Sequence, residues 1–428
     1  MYKYLLLGYG KSNKSIKKYF DLHNIKYIIY DDFTNKNQIN LEEIDYVIKS
    51  NGISNDHHIL NNVKQYNENN TSNKQIIILS DLELFYRFFK CQSNRKIIVV
   101  TGTNGKSTTV SLVKHIISDI NLCGNIGDPL FNYLDEDSLN KDVIIEASSF
   151  MGEYLKWFSP DISCYLGINN HHLDHHITLE NYIKCKENII KQTKRCICYN
   201  YDDYVVSKYV ESLNCNRISY STKSLFSDIY LLNNNIYYKE KLVLSLDNKY
   251  NNLYVENIMA SIGICLSYGV NIETIRDKIN TFKTLEHRLE LFKRYNNINI
   301  INDSKSTNIM SLIKAISLMK SKTLLICGGK TEQINIDTIN IESINIKNIK
   351  YILINGENRY ILKSIFSKYV DNIILYETLD ELLNNIIHYI YDVDTILFSP
   401  GSQSYDQFDS FEERGRFFKN KIEKMLNM

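Results

Sequence analysis

Residues 97–109 read IIVVTGTNGKSTT, and this stretch limits what the chain can fold into more than any other. The β-branched run from Ile97 to Val100 reads as a buried parallel strand, whereas Val110, Val113 and Ile117 recur at i, i+3 and i+7 as one helical face. Gly102 and Gly105 occupy the turn between them. A strand, a glycine turn and a helix in that order aim the free N–H groups of a helix N-terminus at an anion beyond the strand end. Gly105, Lys106 and Ser107 match the close of the phosphate-loop pattern G-x-x-x-x-G-K-[ST], but the position of its first glycine is Val100, inside the strand. The stretch reads as a nucleotide loop of unusual spacing.

The same alternation repeats on both sides. Before the loop, YKYLLLGYG, IKYIIYDD, IDYVIKSNGIS and KQIIILSDLELF are short apolar runs separated by helical patterns, which implies a parallel sheet with βαβ crossovers. The first turn resembles G-x-G-x-x-G with Asn13 in place of the third glycine; Gly8 and Gly10 let a phosphate approach the backbone, and Asp31 ends the second strand where a ribose-binding acid is expected. KCQSNRK at 90–96 reads as a linker, and a third alternation begins near Leu285. The expectation is an α/β chain of three domains: a Rossmann-like one at 1–92, a P-loop-type α/β one at 93–285 and a second Rossmann-like one at 286–428.

Charge and composition exclude other classes. Fifty Lys and Arg against 49 Asp and Glu leave a net charge of +1, so the chain as a whole does not attract nucleic acid or an anionic membrane surface. No run approaches the roughly 20 apolar residues that span a bilayer, and MYKYLLLGYG reads as a strand, not a signal peptide. Nine cysteines without a CxxC pair read as reduced thiols of a cytoplasmic protein.

Several constellations carry chemistry. Glu146, after Val143 to Ile145, is a carboxylate at the mouth of a strand, suited to a Mg²⁺ ion opposite a phosphate loop or to an ordinary helix cap. HHLDHH at 171–176 has no cysteine in register for zinc; it reads as a solvated loop, a second metal ligand or a base. NYIKCKENII places Tyr182 and Lys186 on one helical face. In INDSKSTN, Asp303 suits a ribose and Lys305 phosphoryl oxygens, and Ser402 and Ser404 lie in a loop before a final helix.

In their order, TGTNGKST, EASSF, HHLD, YIKCK, LEHRLE, NDSKSTN and SPGSQSYDQF followed by FEERG resemble the Mur ligases of peptidoglycan synthesis along the whole chain, and within them the branch that uses D-glutamate. The resemblance implies an ATP- and Mg²⁺-dependent amide ligase, cytoplasmic and monomeric, with UDP-N-acetylmuramoyl-L-alanine and D-glutamate as substrates. It implies that Thr103, Asn104, Gly105, Lys106, Ser107 and Thr108 hold the phosphates, that Ser107 and Glu146 serve one metal ion, and that His172 serves a second. Lys186 matches a lysine that this family carbamylates into a metal ligand. Asn257, Arg288 and Asp303 match adenine and ribose contacts, Lys305 the cation at the transferring phosphoryl, and Asn125 a sugar contact. Thr307, Ser404 and Phe411 match residues that hold D-glutamate, and the N-terminal domain takes the UDP end. The chain departs from the pattern at Leu253 and Tyr254 ahead of Asn257, at Asn51, at Gln403, and at Glu332, where a D-glutamate-binding lysine is expected while Lys330 directly follows the glycines.

Overall fold

The computed structural model describes residues 3–34, 39–70, 74–168, 173–246, 254–283, 285–331 and 346–426. The chain divides into two compact units, Met1–Phe282 and Lys283–Met428. It is an α/β protein with three sheets among the described residues. No described helix is long and apolar enough to cross a membrane.

The first unit holds two of the sheets. Strands β1 (Tyr4–Leu7), β2 (Tyr27–Tyr30), β3 (Tyr46–Lys49) and β4 (Ile77–Ser80) form a parallel sheet in the order β2-β1-β3-β4. The second sheet comprises β5 (Ile97–Thr101), β6 (Ile120–Gly124), β7 (Asp142–Glu146), β8 (Ile162–Tyr165), β9 (Cys196–Asn200), β10 (Arg217–Ser221), β11 (Ile229–Leu232), β12 (Asn235–Tyr238) and β13 (Lys241–Ser245). Its order is β13-β12-β11-β10-β9-β8-β5-β7-β6. Every residue of β5, β7 and β8 is buried, which is why these strands read as continuous apolar runs with no alternation. At the far edge β11, β12 and β13 turn antiparallel.

One apolar cluster runs through both sheets, from Leu6, Ile48 and Phe85 to Ile97, Val99 and Ile145. Aromatic rings thicken it: Phe131 meets Tyr19, Phe85 and Phe88 edge-on with centroids 5.5–6.4 Å apart. Such pairs add to area burial by about 1 kcal/mol each. Two buried carboxylates fix the same junction. Lys49, at the end of β3, donates to Glu153 Oε2 at 2.8 Å with both groups buried. Glu83, in the first turn of the helix Asp81–Gln92, takes the backbone N–H groups of Lys156, Trp157 and Phe158 at 2.9–3.1 Å.

The second unit is built on β14 (Glu290–Tyr295), β15 (Ile298–Asn302), β16 (Thr323–Gly328), β17 (Ile349–Asn355), β18 (Ile373–Leu375) and β19 (Thr395–Phe398), in the order β14-β15-β19-β16-β17-β18. All neighbours are parallel except β14 on β15. The final helix, Phe411–Leu426, packs Phe418 against Phe398 with ring centroids 4.4 Å apart.

Glu83→Ala removes the acceptor of three N–H groups in a site without solvent, and should lower the unfolding free energy of the chain by about 3 kcal/mol. Denaturant unfolding followed by circular dichroism measures this; an unchanged midpoint would show that the three bonds contribute nothing net.

Candidate active site

The phosphate loop leaves β5 at Thr101 and enters the helix Lys106–Ile116. Gly105 caps that helix at φ +85°, a left-handed conformation that an L side chain adopts only with strain, and a Cβ there would strike the carboxamide of Asn257. The loop is braced from three directions. Thr103 N–H donates to Gly167 O at 2.7 Å, Thr103 Oγ1 and the Tyr182 hydroxyl are 3.0 Å apart, and Asn257 Nδ2 donates to Gly105 O at 3.1 Å and to Thr109 Oγ1 at 3.2 Å. Ser107 and Thr108 are buried at the helix start, while Asn104 is half-buried.

Two lysines converge on one carbonyl. Lys106 Nζ donates to Gly102 O at 2.9 Å and to Thr103 O at 2.8 Å; Lys186 Nζ donates to the same Gly102 O at 2.8 Å. Lys186 projects from the helix Leu179–Ile190, its Nζ 4.7 Å from the Tyr182 ring centroid, and its side chain is 1% exposed. Burial first, and then the neighbouring Lys106 charge, hold its amine well below the usual lysine range.

The anionic member of the site is Glu146, the last residue of β7. It lies opposite Val100 in the β5–β7 register and so at the base of the loop. Its Oε1 accepts from Asn125 Nδ2 at 3.2 Å; its Oε2 is buried and has no hydrogen-bond partner among the described residues. A buried carboxylate oxygen left without a donor is a costly arrangement that a divalent cation relieves. Glu146 Oε2 is thus an oxygen suited to a metal ion at the base of the phosphate loop.

His172 lies outside the described residues, as does Glu332. Beyond it, His175 Nε2 is 2.9 Å from Glu153 Oε1, and His176 Nε2 is 2.9 Å from Ser149 Oγ. In the first turn of the chain Gly8 and Gly10 lie between β1 and the helix Lys11–Leu22, as the glycine pattern requires. Asn13, which replaces the third glycine, is buried and donates to Leu7 O at 3.1 Å and Gly8 O at 2.7 Å, closing the strand end. Asp31 accepts from the N–H of Tyr9, Phe33 and Thr34 and from Thr34 Oγ1 at 2.9–3.1 Å, so its lone pairs already hold the turn.

Within the second unit, Asp303, Lys305 and Phe411 come together. Asp303 Oδ2 accepts from Ser399 Oγ at 2.8 Å and Oδ1 from Leu289 N–H at 3.0 Å. Burial pushes its carboxyl up to about 7, against the pull of those bonds and of Arg288 and Arg414. Lys305 Nζ stands 3.7 Å from the Phe411 ring centroid. Ser404 is buried and Thr307 half-buried; Lys330 is exposed, with its N–H on Gln403 O at 3.0 Å. Arg414 was not singled out by its sequence, although it lies in the quoted FEERG. It is 3% exposed and donates from Nε and Nη2 to Ser304 Oγ and O at 3.2 and 2.9 Å, beside Asp303. Tyr182 was legible only as a helical residue and Asn257 only as a match to an adenine contact; their contacts with the loop cross 79 and 152 positions of chain.

Fold and site together define an α/β protein with a phosphate-type loop between β5 and the helix that follows it. Residues 100–265 match the Mur ligase middle domain. The chain is 32% identical to a UDP-N-acetylmuramoylalanine–D-glutamate ligase of Hydrogenobaculum sp. over 99% of both chains. It is equally 32% identical to the ligase of that name from Clostridioides difficile, over 94% of this chain and 88% of that one. In fold it is similar to the MurF ligase of Thermotoga maritima solved in complex with ADP, with a TM-score of 0.58 at 15% identity over 99% of this chain and 95% of that one. The chain belongs to the Mur ligase family.

Asp303 sets a pH dependence. Its carboxyl binds a proton more tightly folded (about 7) than unfolded (3.8), so stability is highest below the unfolded value and falls as pH rises towards the folded one. The loss between pH 4 and 7 should be on the order of 3 kcal/mol. Asp303→Asn keeps one acceptor and cannot ionise, so its stability should fall less over that window than wild type does; parallel curves for the two proteins would reject the shift.

Proposed function

We propose that this chain joins D-glutamate to UDP-N-acetylmuramoyl-L-alanine, converting ATP to ADP and phosphate. The observation that supports this reading best is the convergence of Lys106 and Lys186 on Gly102 O beside the unpartnered Glu146 carboxylate oxygen. The identity to D-glutamate ligases over nearly the whole chain supports the choice of amino acid. In the reaction, an oxygen of the L-alanyl carboxylate takes the γ-phosphoryl group of ATP and ADP leaves. The D-glutamate amine then adds to the acyl carbon and loses a proton, and phosphate departs with the C–O electron pair, leaving an amide.

In this reading the backbone N–H groups of Thr103 to Thr108 and the Lys106 ammonium hold the phosphates, and Asn257, Arg288 and Asp303 serve the adenosine. Ser107 and Glu146 would hold Mg²⁺, with His172 and Lys186 serving a second ion; when bound, the metal neutralises phosphate oxygens. Lys186 suits carbamylation because burial and the Lys106 charge hold its amine well below the usual lysine range, which favours the neutral form that reacts. A neutral amine attacks CO₂, the N–C bond forms, a proton is lost, and a cation becomes a carboxylate ligand that Mg²⁺ attracts. Lys305 offsets charge on the transferring phosphoryl group. Gly8, Gly10 and Asp31 serve the UDP end, Asp31 through the turn it holds, and Asn125 the sugar; Thr307, Ser404 and Phe411 serve D-glutamate. The division at 1–92, 93–285 and 286–428 assigns UDP-substrate, ATP and amino acid to successive domains of a cytoplasmic monomer.

The purified protein should release phosphate from ATP with Mg²⁺ and UDP-N-acetylmuramoyl-L-alanine only when D-glutamate is added, in step with dipeptide product. Release with a different amino acid would reject the specificity; no release with any would reject the ligase. Lys106→Ala should lower turnover by about a thousandfold. Lys186→Ala should lower it by a similar factor and be rescued by added short-chain carboxylic acids; an active Lys186→Ala enzyme would sink the carbamate.

A further inference from the structure

Next to the catalytic lysine, the chain assembles a second group of ligating atoms. Glu153, His176 and Cys185 each offer one ligand atom, all within 4.8 Å of one another. Cys185 Sγ is 3.8 Å from His176 Nδ1, and His176 Nδ1 is 3.7 Å from Glu153 Oε1. A tetrahedral zinc centre with ordinary bond lengths separates its ligand atoms by roughly 3.3–3.7 Å. Two of the three separations therefore already lie near the edges of such a tetrahedron, and the third, from Cys185 to Glu153, is within 4.8 Å. We propose that Glu153, His176 and Cys185 form a binding site for a thiophilic divalent cation of the zinc class, separate from the groups that serve the phosphates.

The surroundings support ligation. His176 Nε2 is 2.9 Å from Ser149 Oγ, so the tautomer that donates to this hydroxyl presents the Nδ1 lone pair to Cys185 and Glu153. Phe150 stacks on the same imidazole, centroids 5.4 Å apart at 26°, and fixes the ring plane. Glu153 accepts one bond from Lys49 at Oε2 and two, from Asn55 and His175, at Oε1. A carboxylate has about four lone-pair sites; Oε2 accepts only from Lys49, whereas Oε1, the oxygen 3.7 Å from His176 Nδ1, ligates a metal by giving up its bond from Asn55 or His175. Thiolate, imidazole and carboxylate together select zinc-like ions over Mg²⁺, which favours oxygen alone. On binding, the Cys185 S–H proton is lost to solvent and an S–metal bond forms, with no change of oxidation state. Cys185 is half-buried, which leaves a path from solvent, while Glu153 and His176 are buried.

Cobalt(II), used as the probe for the full-length protein, should bind with a sulfur-to-metal charge-transfer absorption in the near ultraviolet. Zinc should abolish it in competition, whereas Mg²⁺ should not. Cys185→Ala and Cys185→Ser should each remove that absorption and weaken zinc binding by at least about tenfold, with circular dichroism matching wild type. In the unmodified protein, zinc should protect Cys185 from alkylation, read peptide by peptide against the other eight cysteines, so that the outcome does not depend on any variant folding. Absence of the absorption at saturating cobalt, its persistence in both Cys185 variants, or alkylation of Cys185 unaffected by zinc each overturns the site. None of these readings uses turnover, so they stand apart from the ligase assignment.

Discussion

The carbonyl oxygen of Gly102 accepts hydrogen bonds from two lysines, and the rest of the site depends on how that arrangement is tolerated. Two ammonium groups on one buried oxygen repel, and burial penalises both. The repulsion bears most on Lys186, sealed beneath the Tyr182 ring, where burial and then the Lys106 charge hold the amine well below the usual lysine range. The left-handed Gly105 makes the meeting possible. It turns the chain sharply into the helix, leaving the carbonyls of Gly102 and Thr103 facing the lysine side chains while the N–H groups at the helix start face outward to an anion. Remove the turn and the two lysines lose their common partner.

Sheet topology supplies the remaining members in both units. In the first, β5 lies between β7 and β8, so Glu146 at the end of β7 and Gly167 just after β8 flank the loop although 40 and 61 positions separate them from Lys106. In the second, β19 lies between β15 and β16. Asn302 pairs with Phe398, so the next residues, Asp303 and Ser399, meet at 2.8 Å. Gly328 N–H bonds Pro400 O across the other side. Parallel neighbours bring strand ends, and the loops after them, to one edge, which explains why segments about a hundred residues apart serve one place.

The sequence disclosed those parts whose chemistry is local. Apolar runs, glycines and helical periodicity locate the phosphate loop because strand, turn and helix follow one another in the chain. Asn13 was legible only as a missing glycine; its use as a donor to Leu7 and Gly8 carbonyls depends on where β1 ends. Absence of a cysteine in register with HHLDHH argues against zinc only along the chain. Cys185 stands nine positions from His176, on the following helix, and reaches it because that helix packs over Ser149 to Gly152. Nothing in DLELF tells that Glu83 accepts from three N–H groups more than seventy positions away.

Arg414 shows why charge placement in the second unit escapes local reading. Burial pulls its guanidinium down to about 10 and pushes Asp303 up to about 7, the same penalty acting on opposite signs. Each offsets part of the other's desolvation without direct contact, because Arg414 spends Nε and Nη2 on Ser304, the residue after Asp303. Ser304 Oγ in turn donates to Phe411 O at 2.8 Å, tying the last helix to the loop after β15. That tie sets the Phe411 ring under the Lys305 ammonium. A cation resting on an aromatic face keeps its charge and most of its hydration, whereas a carboxylate partner would hold it more tightly. Attraction to that ring helps set where the Lys305 ammonium stands beside Asp303 and Arg414 in the second unit.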